Sequence, residues 1–403
     1  MPPQCLTVLA PLREGADAAL RNVLRAIGDD IKGRRDVPGV RPRIEFERSR
    51  AIHFARFAIL DDPDRGPGRT RLLFASVYDG PLASHLTELA GITSDLDAIW
   101  SACEGYTTAA AFPAFIRAHA LEPEAYYVAF REETVDRIRA AVGAEPQGAS
   151  VRGGSSRSPG RPLRDTLRGF MRAAPIVLDV VRAVTRFGVR NVLAGVNRII
   201  ASLDRRPLFR FLNRITRNQM PPRRSSYSSV ALDHCAPYAP LVAGDEVPSA
   251  LLSLPAGYRE DVITQNQLTL VTVVAEGRSD RVRAVMSAID SYARRLSPPG
   301  SLLGISTIHF VRWLLIDGGR RLVLVSDYDN SWENYIDEFA EMILSGLDAI
   351  WETSLGYPPD GARDLPSFKR FLRSHQVPAE VFFSAYPDQT VLTIAAATGR
   401  ART

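Results

Sequence analysis

The feature that most constrains this chain is that it states nearly the same thing twice. Ile52-His53-Phe54-Ala55-Arg56-Phe57 returns as Ile308-His309-Phe310-Val311-Arg312-Trp313. Leu96-Asp97-Ala98-Ile99-Trp100 returns as Leu347-Asp348-Ala349-Ile350-Trp351, and Phe115-Ile116-Arg117-Ala118-His119 as Phe371-Leu372-Arg373-Ser374-His375. Matched blocks in one order imply a duplicated domain, since each copy must solve the same packing problem with the same elements. The 403 residues leave room for two such domains and a connecting piece.

Periodicity within each copy gives the elements. In the first, Leu6 to Leu12 reads as a strand and Ala16 to Ile31 as an amphipathic helix. Ala51 to Leu60 and Arg71 to Tyr78 read as paired strands around a turn at Asp61 to Gly68. Leu82 to Trp100 is predicted helical with an interruption near Gly91. Phe112 to His119 is a second helix, Ala125 to Phe130 the last strand and Thr134 to Val142 a closing helix. The second copy repeats the order: strand Leu268 to Val274, helix Arg281 to Leu296, strands Thr307 to Ile316 and Arg321 to Asp327. Helices Trp332 to Trp351 and Phe368 to His375 and strand Val381 to Tyr386 complete it.

A β-α-β-β-α-β order is the ferredoxin-like unit. The expected architecture is therefore α+β: two ferredoxin-like repeats forming an intramolecular pseudo-dimer, with a helical amphipathic insert between them. The boundaries fall at 1–147 for the first repeat, 148–225 for the insert, 226–262 for a linker and 263–403 for the second repeat.

Charge is distributed unevenly between these parts. Residues 151–225 carry seventeen arginines against Asp165, Asp179 and Asp204, a local charge of +14, so the rest of the chain, at +5 − 14, is −9. Within the insert, Val189, Val192, Leu193, Val196, Ile199, Ile200 and Leu203 follow helical spacing. Opposite such stripes stand Arg164, Arg168, Arg172, Arg182, Arg186, Arg190, Arg198, Arg210 and Arg214. An apolar face opposite an arginine face suits the boundary of an anionic membrane, where each basic side chain adds about 1 kcal/mol. The same two-faced pattern also serves helices that pack on the repeats and show arginine to water. Nucleic acid is the weakest of the three readings, because no recognisable reading motif accompanies the charge.

Neither a signal peptide nor an apolar stretch of membrane-spanning length is seen. Cys5, Cys103 and Cys235 have no metal-like spacing. These features predict a cytoplasmic protein, peripheral on the inner face of the cytoplasmic membrane.

The candidate site residues are those the repeat keeps. Strand alternation places His53 with Ala55, Phe57 and Ile59, and His309 with Val311, Trp313 and Leu315, opposite Arg56 and Arg312 respectively. His53 and His309 are the candidate haem ligands or proton shuttles, and Arg56 and Arg312 would hold a carboxylate or a polarised peroxide. A buried, hydrogen-bonded histidine that fixes a strand is the competing reading, and it applies also to His119 and His375. Ser76-Val77-Tyr78-Asp79-Gly80 is matched by Ser326-Asp327-Tyr328-Asp329-Asn330 where a strand gives way to a helix. Asp79 and Asp329 read first as helix N-caps, with Gly80 and Asn330 tolerating an unusual backbone angle, and otherwise as catalytic acids. Trp100 and Trp351 read as helix core anchors.

This order of elements resembles the dimeric α+β barrel superfamily, which includes dye-decolorising peroxidases, chlorite dismutases and small cofactor-free monooxygenases. Ser76 to Gly80 is similar to the Gly-x-x-Asp-Gly motif of the peroxidases. It has serine in place of the first glycine, and the second copy also lacks the last one. Ile308 to Trp313 and Asp327 to Phe339 also resemble uncharacterised bacterial proteins, which supply no activity. The resemblance covers about two thirds of the chain and implies a fold more specifically than a reaction.

Two functions follow. The favoured one is a membrane-surface binding protein without catalysis, contacting anionic lipid and taking an apolar small molecule or a protein partner. The alternative is a peroxidase- or monooxygenase-like oxidoreductase, haem-dependent or cofactor-free, acting on an apolar, lipid-like substrate.

Overall fold

The computed structural model describes residues 2–32, 43–143 and 264–400. The predicted insert, the linker and Cys235 lie outside them. The strands are β1 (Gln4–Pro11), β2 (Ile52–Asp61), β3 (Thr70–Tyr78), β4 (Ala125–Val128), β5 (Gln265–Val273), β6 (Ile308–Ile316), β7 (Arg321–Asp329) and β8 (Ala379–Ser384). The helices are α1 (Asp17–Ile31), α2 (Leu82–Ile92), α3 (Asp97–Trp100), α4 (Phe112–Ala118), α5 (Val135–Gly143), α6 (Ser279–Arg295), α7 (Trp332–Trp351), α8 (Leu365–Ser374) and α9 (Val391–Ala397). Most predicted boundaries hold to within three residues. The helix expected over Leu82 to Trp100 is broken between Ile92 and Asp97, close to the interruption read at Gly91. Helix α9 has no counterpart among the predicted elements, although Thr390-Val391 matches Thr134-Val135 in the first half.

The fold is mixed α+β, with two four-stranded antiparallel sheets ordered β1-β3-β2-β8 and β4-β6-β7-β5. The last strand of each half leaves its own sheet. β4 pairs with β6 of the second half, and β8 pairs with β2 of the first. The residues just before these strands stay at home. Leu9 N donates to His119 O at 3.0 Å and Leu121 N to Thr7 O at 2.8 Å; Val271 N donates to His375 O at 3.0 Å and Val377 N to Thr269 O at 2.8 Å. Each crossing segment therefore bonds one sheet and then the other, leaving edges β1 and β5 partly covered.

The strands alternate between two apolar environments, which is why nearly every residue in them is buried. Ala58, Leu60, Leu73 and Ala75 pack with Val271, Leu314, Ile316, Val323 and Val325 in the layer between the sheets. Their neighbours, such as Phe57, Phe74, Val311 and Leu324, belong to the larger core against the helices. At one end of the intersheet layer Asp317 is bonded to Arg71 Nη1 at 2.7 Å and to Arg321, joining a turn of the second half to the first.

Helices are anchored locally. Ser331 caps α7 by accepting from Asn334 N, Asp364 caps α8 by accepting from Ser367 N, and Thr390 and Thr393 form a capping box at α9. Helix α1 approaches β8 closely at Gly28, where a Cβ would lie 2.5 Å from the Glu380 carbonyl oxygen. Among the described residues no helix is long and apolar enough to cross a membrane.

Candidate functional site

Each candidate histidine occupies a β-bulge. On β2 the register passes from Ile52 opposite Tyr78 to Phe54 opposite Val77, and on β6 from Ile308 opposite Tyr328 to Phe310 opposite Asp327. His53 and His309 are the extra residues. An extra residue re-aims its side chain, so the strict alternation expected through Ala55 and Val311 does not extend back to the histidines. His53 packs at 5.4 Å from Phe310, and His309 at 5.4 Å from Phe54, with those two phenylalanines 5.4 Å apart. The bulges thus bring both histidines to one end of the intersheet layer, each against the other half.

The acids predicted beside them are there. His53 Nε2 lies 3.1 Å from Asp79 Oδ1, and His309 Nε2 lies 2.7 Å from Asp329 Oδ1. The capping expectation needs correction in its target. Asp79 Oδ2 accepts from Val135 N at 2.8 Å and Asp329 Oδ2 from Val391 N at 2.7 Å, at the starts of the closing helices α5 and α9. The helices that follow directly in sequence are not capped by these carboxylates. Tertiary packing sets the ends of β3 and β7 beside α5 and α9, whose first amides need acceptors. Gly80 and Asn330 adopt φ of +84° and +68°, as the turn reading requires.

The two histidines differ in one partner. His53 Nδ1 is 2.9 Å from the Tyr386 hydroxyl, whereas the position matching Tyr386 in the first half is Phe130. Burial, with Asp79 nearby, pushes the Tyr386 phenol well above its ordinary pKa. The hydroxyl stays protonated, so His53 has a neutral partner at Nδ1 and a carboxyl partner at Nε2.

Arg56 and Arg312 are structural clamps rather than pocket groups. Arg56 Nη1 donates to Gln267 Oε1 at 3.1 Å, Leu268 O at 3.0 Å and Thr269 Oγ1 at 3.2 Å. Its Nη2 donates to Ser326 O at 2.8 Å and pairs with Asp327. Arg312 Nη1 reaches back to Leu6 O at 2.9 Å, Thr7 Oγ1 at 3.1 Å and Ser76 O at 3.1 Å. Each arginine crosses between the sheets to the opposite half, and Val77 stands where Asp327 would serve Arg312.

The second histidine pair is local. His119 Nδ1 is bonded to Phe115 O at 2.9 Å and His375 Nδ1 to Phe371 O at 2.7 Å, each one helical turn back. His85 is also buried, and nothing in the sequence marks it, because its match is Tyr335. Its Nε2 lies 2.9 Å from Ser76 Oγ, and its ring stacks 3.9 Å from Tyr78. Tyr335 makes the same pair of contacts with Ser326 and Tyr328, at 2.7 and 3.9 Å. Burial lowers the His85 pKa to about 3.

A haem does not fit this constellation. Both ring nitrogens of His53 are bonded within the protein, and His309 Nε2 is bonded to Asp329 at the end of the adjacent strand. A small apolar cavity lies on the opposite face of the second sheet. Of about 20 Å³, it is bounded by Leu268, Trp313, Leu324, Phe339, Trp351 and Phe368 among others. It includes neither candidate histidine nor candidate arginine. Among the described residues no group of three or more His, Cys, Asp or Glu is arranged to hold a metal ion. The arginines expected to meet a membrane, Arg164 to Arg214, lie outside the described residues. No family model, curated protein or solved structure matches the chain significantly.

Proposed function

We propose that this chain is a membrane-surface protein without catalytic chemistry, made of two ferredoxin-like repeats joined as an intramolecular pseudo-dimer of the dimeric α+β barrel kind. Its arginine-rich segment brings it to anionic lipid. The observation that carries this reading is the separation of charge: +14 within residues 151–225 and −9 over everything else. Such a segment is drawn to an anionic surface while the acidic repeats are held off it, and the apolar stripes opposite the arginines supply the insertion energy. The internal commitments of His53, His309, Arg56, Arg312, Asp79 and Asp329 support a non-catalytic role, because these groups are already used in joining the halves.

The test is co-sedimentation of the full chain with vesicles of phosphatidylglycerol and phosphatidylcholine, beside a variant lacking residues 163–217. The full chain pellets with anionic vesicles, less so as salt rises, and the variant stays in the supernatant. Binding that survives the deletion overturns the assignment to this segment. Equal binding to vesicles of phosphatidylcholine alone overturns the electrostatic basis.

A further inference from the structure

The two arginine clamps that cross between the sheets stand at matching positions but are completed differently. Beside Arg56 the ladder pair is Gln267 opposite Asp327, and both side chains bond to the guanidinium. Beside Arg312 the matching pair is Cys5 opposite Val77, which offers neither a carboxylate nor an amide oxygen. Arg312 therefore rests on neutral oxygens alone, all of them bonded to Nη1: Leu6 O, Thr7 Oγ1 and Ser76 O. Its Nε and Nη2 have no acceptor among the described residues. Neither nitrogen is closed to water, although the residue as a whole is only 2% exposed. The neighbouring strand supplies no substitute. Phe382 pairs with Arg56 in the ladder, and Tyr126 pairs with Arg312. The Tyr126 ring lies 6.0 Å from the Arg312 guanidinium, but its hydroxyl is bonded to nothing. A buried guanidinium has thus lost the carboxylate that its counterpart keeps, a cost that a purely structural core avoids.

We infer that a small monovalent anion of chloride size completes the Arg312 clamp, bound to the free Nε and Nη2 in the space beside Cys5 that Gln267 fills in the other clamp. The side chains decide the size. Cys5 ends at Sγ, whereas Gln267 carries a carboxamide beyond that point, so the room left is that of an ion and not of an organic ligand. Cys5 is half-buried, which leaves the space a way to solvent. The neighbours do not supply the negative charge themselves. Burial pushes the Cys5 thiol up and the Tyr126 phenol well above its ordinary range, so both stay neutral. Glu122, also near Cys5, is exposed and forms no ion pair with Arg312, and Arg294 is bonded to Asp290 at 2.6 Å. The other carboxylates of the layer are engaged, Asp327 by Arg56 and Asp79 and Asp329 by the histidines and the closing helices. Water would satisfy the two N–H groups but not the charge; an anion gives Arg312 the charge-assisted partner that Asp327 gives Arg56. The inference stands apart from membrane binding, because it concerns the layer between the sheets and is tested without lipid.

The experiment measures urea midpoints of the full chain as sodium chloride replaces sodium gluconate at constant ionic strength. Gluconate is too large for the space, so it serves as the non-binding anion. The midpoint is expected to rise with chloride, flattening to a logarithmic dependence, as for a ligand held only by the native state. Two variants copy the other clamp. Val77→Asp installs the carboxylate found at Asp327 and is expected to abolish the chloride response. Cys5→Gln fills the space with the side chain found at Gln267 and is expected to raise the chloride needed about tenfold or more. Equal midpoints in the two salts overturn the inference in favour of bound water. A rise that is strictly linear in chloride overturns it in favour of a general salt effect. If Val77→Asp does not fold, Cys5→Gln decides alone, and an undiminished response there overturns the location.

Discussion

Arg56 of the first half and Asp327 of the second form an ion pair with both side chains only 2% exposed. It bridges the two sheets, and the matching arginine, Arg312, has no such partner at the matching position, which is Val77. A buried charge is tolerated only when its hydrogen bonds are satisfied, and Arg56 keeps four further acceptors besides the carboxylate. Arg56→Met would strand Asp327 in the core and is expected to cost about 3–5 kcal/mol in chemical denaturation. Asp327→Val is expected to cost less, since it leaves Arg56 in the state in which Arg312 already exists. The reverse order of the two losses would mean that the carboxylate, not the arginine, organises the interface.

The Tyr386–His53–Asp79 chain gives a second expectation. Tyr386→Phe copies the first half's Phe130 and removes the hydroxyl partner of His53 Nδ1, at an expected cost of about 1–3 kcal/mol for a buried polar group left without its hydrogen bond. Asp79→Ala removes both the His53 contact and the acceptor for Val135 N, and is expected to cost more than Tyr386→Phe. Amide exchange at Val135 should quicken in Asp79→Ala and be unchanged in Tyr386→Phe. Equal exchange in both would place the helix contact elsewhere.

Buried histidines give the fold an acid sensitivity. The His85 pKa falls from 6.5 to about 3 through burial, and burial also lowers that of His375. Between those values the unfolded chain binds a proton that the native state refuses, so stability falls as pH drops below 6.5 and the loss is complete near 3. The slope approaches about 1.4 kcal/mol per pH unit for His85 well inside that window. His85→Tyr keeps the stacking on Tyr78 and reach to Ser76 seen at Tyr335, and is expected to flatten the fall at mildly acid pH. Urea midpoints at about pH 7, 6 and 5 measure it. An unchanged slope would remove His85 from the acid response.

The exchanged strands make the halves interdependent. Chains of residues 1–143 and 264–403, produced together, are expected to elute as a one-to-one complex. Each alone lacks a strand of its sheet and exposes the intersheet layer, so it is expected to aggregate or self-associate. Two stable monomers would show that the exchanged strands are dispensable.

What was legible in the sequence was local or repeated. Hydrophobic spacing along Ala16 to Ile31 or Arg71 to Tyr78 reflects which face each residue must bury, and that is written in a few consecutive turns or alternations. The repeat identified His53, Asp79, Arg56 and their partners as residues both halves retain. Their roles were not legible, because each depends on a neighbour far away in the chain. Whether Asp79 caps the next helix or α5 depends on where the end of β3 packs. Whether His53 follows the strand alternation depends on one unpaired residue in a ladder, which has no signature in composition.

His85 and the second-half cavity show the same division from the other side. Nothing in the matched blocks marks a position where histidine replaces tyrosine, or where Leu324 replaces Phe74. Only packing shows that the first exchange keeps a hydrogen bond and a stack, and that Leu324 borders a small void behind the second sheet. The sequence by itself determined the matched blocks, the order of elements and the concentration of positive charge, since these are properties of the chain. Tertiary structure decided the strand exchange, the clamps and the cavity, because hydrogen-bond partners and voids exist only between segments brought together by folding.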